Sequence, residues 1–209
     1  KVIDGGGNRI VAIGKDLKDS GSHFNGDIDD VRVYNCALTA NEIRSLYLAA
    51  PLAAYYPFNG NADDESDNAN SDNGNNGTVN GATLTTDRFG NTDSAYSFDG
   101  TNDYIDAGTA ISLNNSSFTI SVWVKTNTCN GDPSIISNKD WDSGVHKGFI
   151  IAQKTDSTWK FNLGDGSNRK DLNAIATIKD GNWHHLAVTV DVDGNIIAYQ
   201  DGAEKSRTS

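Results

Sequence analysis

The chain has 209 residues, is 36% hydrophobic, and carries 21 glycines, 3 prolines and a formal net charge of −11. That length supports one generous core or two small ones. The charge argues against a nucleic-acid backbone as partner, which needs a basic footprint, and no apolar run is long enough to insert in a bilayer as a helix.

Asn, Asp and Gly fall between short apolar runs, so β-sheet with elaborate loops is expected throughout. The chain begins at Lys1 and contains no methionine, so we expect a fragment or processed product, and the lack of a signal peptide carries nothing about export. Residues 9–13 (RIVAI) read as a short strand and 15–22 as a loop. Residues 28–34 (IDDVRVY) read as a strand, with Ile28, Asp30, Arg32 and Tyr34 on one side and Asp29, Val31 and Val33 on the other. The alternation is imperfect, and a carboxylate inside an apolar strand has to be exposed, paired or on a metal. Thr39 as N-cap with Glu42 three residues on gives a capping box, and Ile43, Leu46 and Tyr47 give the following helix an apolar stripe. It spans about two turns, too short to hold without packing.

Residues 52–58 (LAAYYPF) form the next expected strand, and Pro57 places it at an edge or a strand end. Residues 59–81 are a long polar loop, and a loop of that length in a compact domain has a function or is tied down. Its density of oxygen donors makes a hard cation the tie. Short strands follow at 82–85, 95–98, 103–105, 118–124, 135–136, 149–152, 159–163 and 174–176, with 87–91 as a turn. On 118–124, Phe118, Ile120, Val122 and Val124 share one side and Thr119, Ser121 and Trp123 the other. Residues 183–191 and 196–200 make a β-hairpin, in which Leu186, Val188 and Val190 face one way and His185, Ala187 and Thr189 the other. Asp-Gly pairs at 193–194 and 201–202 tolerate the positive φ of tight turns.

Cys36 and Cys129 are either one disulfide or two thiols. Asn76-Gly77-Thr78, Asn114-Asn115-Ser116 and Asn115-Ser116-Ser117 fit a glycosylation pattern that arises easily in an Asn-rich chain.

Five stretches together resemble the concanavalin A-like jelly roll in its laminin G-like version, related to pentraxins. They are FNGDIDDVRVYNCALTANEIRSLY at 24–47, LAAYYPFNGNADDES at 52–66, SAYSFDGTNDYID at 94–106, FTISVWVK at 118–125 and WHHLAVTVD at 183–191. The resemblance implies an all-β, two-sheet antiparallel jelly-roll sandwich with one short helix. In the family the strand and helix of 24–47 close the domain, whereas here they come first. Two arrangements satisfy this order. In one, 1–209 is a single circularly permuted domain, with 1–50 completing sheets begun by 51–209. In the other, 1–50 is the tail of one tandem domain and 51–209 a truncated next one. A sandwich without its last strands would expose open edges, which favours the first arrangement as a monomer, and exchange of 1–50 between molecules would satisfy the same strand count.

Glucanases on the related jelly roll carry spaced carboxylates on one sheet strand. Asp27, Asp29 and Asp30 offer a similar spacing, yet no Glu-x-Asp-x-x-Glu pattern is present, so no enzyme is expected. His184 and His185 point to opposite faces of one strand and read as structural. Calcium is expected as a structural ion, with Asp64 and Asp30 as ligands and Asn61 or Asp67 assisting. A sugar site needs a flat aromatic and planar polar groups. Trp141, set between Lys139, Asp140 and Asp142, is the expected platform, with Arg169, His146 and Asp165 nearby, while Trp123, Trp159 and Trp183 read as core. The implied function is a non-catalytic, calcium-stabilised carbohydrate-binding (lectin-like) module of a multidomain extracellular protein, secreted or on the cell surface, taking an oligo- or polysaccharide. An adhesion or spacer domain is the alternative, and a polysaccharide-cleaving enzyme the third.

Overall fold

A computed structural model describes residues 11–15, 23–34, 37, 38, 43, 52–66, 75–109, 111, 113, 116–139 and 147–208. Among them are fifteen strands: β1 (Ala12–Ile13), β2 (Asn25–Tyr34), β3 (Leu52–Tyr56), β4 (Thr78–Asn80), β5 (Thr83–Thr85), β6 (Ala95–Asp99), β7 (Tyr104–Asp106), β8 (Phe118–Lys125), β9 (Ser134–Ser137), β10 (Gly148–Gln153), β11 (Trp159–Gly164), β12 (Arg169–Leu172), β13 (Trp183–Val190), β14 (Ile196–Gln200) and β15 (Ala203–Thr208). They form two antiparallel sheets. One runs β12-β11-β10-β9-β1-β7-β4 and the other β15-β14-β13-β8-β2-β6-β5, with β3 paired to the second half of β2. The fold is an all-β jelly-roll sandwich. From the first fifty residues, β1 lies between β9 and β7, and β2 lies beside β8 with β6 and β3 on its other flank.

Period-two alternation builds the core between the sheets. Phe118, Ile120, Val122 and Val124 of β8 and Leu186, Val188 and Val190 of β13 meet Phe149, Ile151, Trp159 and Phe161 from the opposite sheet. Phe118 and Phe149 lie with ring centroids 6.0 Å apart. Trp159 is fully buried, and its indole N–H donates to Gln200 Oε1 of the other sheet at 2.9 Å, satisfying a polar atom that burial would otherwise penalise. A second apolar cluster, Tyr34, Leu38, Ile43, Ala187 and Tyr199, covers part of the outer face of the eight-stranded sheet.

The hairpin of β13 and β14 forms as expected. Its connection is a five-residue loop with Gly194 at φ 87°, closed by Asp191 N–H to Asn195 O at 2.9 Å. The next turn has both central residues left-handed, Asp201 at 53° and Gly202 at 76°, which is the type I′ geometry that matches strand twist.

Three expectations need correction. Residues 174–176 are not a strand: Ala174 has φ 50°, and the segment exchanges backbone hydrogen bonds with Trp159 without forming a ladder, while the polar Arg169–Leu172 forms the edge strand β12. The polar loop expected over 59–81 ends in strand β4, paired to β7. The strict alternation expected along 28–34 breaks at a β-bulge, described below. Of the expected helix, only Ile43 is among the described residues, buried in the second cluster. Cys129 is a half-buried free thiol, and Cys36 lies outside the described residues.

Candidate functional site

The outer face of the eight-stranded sheet is polar where the second cluster does not cover it, and the reason is local to β2. Ile28 points into the core, and so do Val31 and Val33, an odd step of three. The ladder to β8 shifts register between Asp29 and Arg32, and Asp30 sits at φ 53°. This bulge, with an Asp in the left-handed position that a short polar side chain tolerates, sets Asp29, Asp30 and Arg32 on the outer side together. Across the sheet, Asp29 pairs with Trp123 of β8, which pairs with His185 of β13. Arg32 pairs with Ser121, which pairs with Ala187.

Above these rows stands the 87–91 turn. Asp87 Oδ1 accepts the N–H groups of Phe89 and Asn91, each at 2.8 Å, and Oδ2 accepts from Asn91 Nδ2 at 2.9 Å, so one carboxylate fixes the turn. These hydrogen bonds outweigh the effect of burial and hold the Asp87 carboxyl below its ordinary value. The turn sends Arg88 down to the bulge, where its two terminal nitrogens meet Asp29 Oδ2 at 2.5 Å and Asp30 Oδ2 at 2.6 Å. The Arg88 guanidinium carbon lies 4.7 Å from the Trp123 ring centre and 4.3 Å from that of Phe89. Phe89 is 74% exposed. Arg32 approaches Asp30 Oδ1 at 3.5 Å and the Tyr55 hydroxyl at 3.4 Å, with its guanidinium 4.6 Å from the Tyr55 ring centre. The result is a cleft of about 780 Å³ lined by Asp29, Asp30, Tyr55, Arg88, Trp123 and His185, among others.

Charge in this cleft is unusual. Burial and the neighbouring Asp30 raise the Asp29 carboxyl to about 7, outweighing the attraction of Arg88. Burial pushes His185 down to about 4, so its ring is neutral, and Nε2 shares a 2.8 Å hydrogen bond with Ser121 Oγ. Burial also pulls on His184, but hydrogen bonds to Asp201 and Asp180 prevail and raise it. His185 is thus buried in the cleft wall on the outer face, and His184 is half-buried between Asp180 and Asp201.

Of the residues expected to form a sugar site, Trp141, Asp140 and His146 lie outside the described residues. Lys139 and Arg169 do fall on one hydrogen-bonded chain, away from the cleft. Lys139, 2% exposed, donates to Asn162 Oδ1, Asn162 Nδ2 donates to Asp171 Oδ1 at 2.5 Å, and Arg169 Nε donates to Asp171 Oδ2 at 2.9 Å. Asp165 caps its own turn through the N–H groups of Ser167 and Asn168.

Of the expected calcium ligands, Asp64 is buried, and Oδ1 accepts from the N–H of Tyr55 at 2.8 Å and of Ser66 at 3.0 Å while Oδ2 accepts from Asn75 Nδ2 at 3.0 Å. Asn61 Oδ1 accepts from Asp63 N–H at 2.9 Å. Asp30 faces two guanidiniums instead, on the cleft that Asp64 does not line. Asp67 lies outside the described residues. Among the described residues no group of three or more His, Cys, Asp or Glu side chains stands together.

Arg88, Phe89 and Tyr55 were not singled out from the sequence, and Trp123, read there as core, is instead half-buried on the outer face and lines the cleft. Trp123 was the readable one, since it shares the polar side of its strand with Thr119 and Ser121. No helix of the described residues is long and apolar enough to cross a membrane.

A laminin G family model, described as the concanavalin A-like lectin/glucanases superfamily, matches residues 2–44 and 99–209. No curated protein and no solved structure matches the chain. The matched segments contain Asp29, Asp30, Arg32, Trp123 and His185, and leave out Tyr55, Arg88 and Phe89.

Proposed function

The chain belongs to the concanavalin A-like lectin/glucanases superfamily, and on that premise we propose that it is a non-catalytic carbohydrate-binding module whose ligand occupies the cleft under the 87–91 turn. The observation that carries this reading is Phe89, a flat ring held on a rigid turn and exposed beside planar guanidinium and carboxylate groups. A pyranose offers an apolar face to such a ring and hydroxyls to such planar groups. The module would serve as the glycan-recognising part of a larger extracellular protein. Phe89→Ala is expected to weaken glycan binding roughly tenfold, about 1.4 kcal/mol, with no change in melting temperature, and Phe89→Trp to retain it. Trp141→Ala is the competing variant. If it loses binding while Phe89→Ala does not, the site lies with Lys139 and Arg169 instead.

Binding is preferred over hydrolysis because Asp29 and Asp30 lie side by side on one guanidinium. Glycosidase carboxyls flank the scissile bond, about 5–9.5 Å apart. One observation favours hydrolysis: an Asp29 carboxyl near 7 is in the range of a general acid. Release of reducing ends from a bound glycan, lost in Asp29→Asn, would establish that reading, and no product after prolonged incubation would end it.

A structural Ca²⁺ on the 59–72 loop would need donors beyond Asp64, Asn61 and Asp30. Chelation that lowers the melting temperature would support it, and an unchanged value would remove it.

A further inference from the structure

Two arginines in a ligand cleft ordinarily select an anion, because a guanidinium fork matches carboxylate or sulfate. Here both forks are already engaged from within. Arg88 holds Asp29 and Asp30 at 2.5 and 2.6 Å, and Arg32 faces Asp30 and the Tyr55 hydroxyl. Four carboxylates line the cleft, Asp29, Asp30, Asp87 and Asp201, against the two arginines, so that even with Asp29 protonated one negative charge is in excess. Asp87 and Asp201 are turned to their own tasks, one closing the turn and the other bonding His184 and the His185 N–H.

We infer that the cleft selects uncharged glycans and rejects those carrying carboxylate or sulfate groups, with Asp29 and Asp30 as the specificity-determining residues. This rests on the reading of the cleft as the glycan site. The pair acts twice. It occupies the charged fork of Arg88, and Asp30, joined by Asp29 as pH rises past about 7, presents like charge to any incoming anion, which is the repulsive element that discrimination requires. Burial first, and then the neighbouring Asp30, raise the Asp29 carboxyl to about 7, so a second full negative charge beside Asp30 is resisted. Arg88 Nε is buried without a hydrogen-bond partner, one unused donor suited to a neutral hydroxyl or ring oxygen. The net charge of −11 extends the same bias beyond the cleft. Arg88 sits outside the segments matched by the family model, whereas Asp29 and Asp30 sit inside them.

The test is calorimetric titration of the full chain with two sets of oligosaccharides. The neutral set is gluco-, manno-, galacto- and N-acetylglucosamine oligomers, and the acidic set is oligogalacturonate, oligomannuronate and heparin-derived oligomers. At least one neutral oligomer should bind, with every acidic one tenfold weaker or worse at low salt. The Asp29→Asn/Asp30→Asn double variant, shown to be folded by circular dichroism, should gain at least tenfold in affinity for oligogalacturonate as Arg88 is released. A purely structural role for the pair would not produce that gain. Wild-type protein binding an acidic oligomer as tightly as the best neutral one overturns the inference while leaving the cleft a glycan site. Silence toward both sets from folded protein overturns the glycan reading and this inference with it. Should the double variant not fold, the wild-type comparison decides alone.

Discussion

Asp29 and His185 flank Trp123 in one row across three strands, and burial displaces their protonation in opposite senses. Asp29, raised to about 7, keeps a proton in the native state that the unfolded chain has released above about 4. Its contribution to stability is therefore full at low pH and lost as pH rises towards 7. His185, lowered to about 4, stays neutral in the native state while the unfolded chain takes up a proton below about 6.5. Its contribution is full above that value and lost as pH falls towards 4. The two windows overlap with opposite signs, so the pair together gives a nearly flat profile. Each single variant unmasks the other group. Asp29→Asn should become steadily less stable as pH falls from 7 to 4, and His185→Gln less stable as pH rises over the same range. The slopes are at most about 1.4 kcal/mol per pH unit, read by urea unfolding at each pH. Variants that both keep the wild-type slope would show that neither group is shifted in the native state.

The decisive element is β2, because one bulge converts an ordinary core strand into the floor of a site. Its sequence announced the difficulty, since no single alternation places Ile28, Val31 and Val33 inside together, but only the ladder to β8 reveals that an extra residue resolves it. Asp30 occupies the left-handed position at φ 53°, where a β-branched side chain is strained by about 1–3 kcal/mol. Asp30→Val should lower stability by more than Asp30→Gly, by about 1–2 kcal/mol in equilibrium unfolding, since both remove the ion pair and only one adds strain. At the other end of β2, a Cβ on Gly26 would run into the carbonyl oxygen of Lys125, so Gly26→Ala should cost about 1–3 kcal/mol by forcing β2 from β8. Equal stability of Asp30→Val and Asp30→Gly would show that the bulge relaxes. Elsewhere legibility followed burial. The β13–β14 hairpin was plain because its apolar residues Leu186, Val188 and Val190 recur at every second position and its turns carry Asp-Gly, whereas edge strand β12 (RKDL) buries only Leu172 and leaves no apolar pattern to read. The apolar 174–176 segment imitated a strand because Ile175 is buried in the core and bonded to Trp159, without joining a ladder.

At the scale of the molecule, the two-sheet sandwich was legible from alternation and turn residues, while the cleft was not, because it assembles from β2, β3, β8, β13 and the 87–91 turn, which only the tertiary fold brings together. No spacing rule links Arg88 to Asp29 across 59 positions. The same long-range wiring bears on oligomeric state. The first half of β2 pairs with β6 and the second half with β3, and both halves pair with β8, so β2 is held on both flanks by strands from the rest of the sequence. If those pairings were made by a second copy, each molecule would have to trade an intramolecular contact, favoured by an effective concentration of about millimolar, for an intermolecular one at the micromolar concentrations of a solution measurement. The trade gains no new surface to offset that loss, since the same residues meet in either case. We therefore expect light scattering to give the monomer mass of 22.4 kDa from low to high micromolar protein. A stable mass of twice that value, persisting on dilution, would mean that the β2 pairings are made between molecules, and the cleft would then be built from two chains, with Asp29 and Asp30 of one meeting Arg88 of the other. A mixed dimer of Arg88→Ala and Asp29→Asn/Asp30→Asn chains would in that case restore one intact cleft, whereas the monomer expected here can restore none.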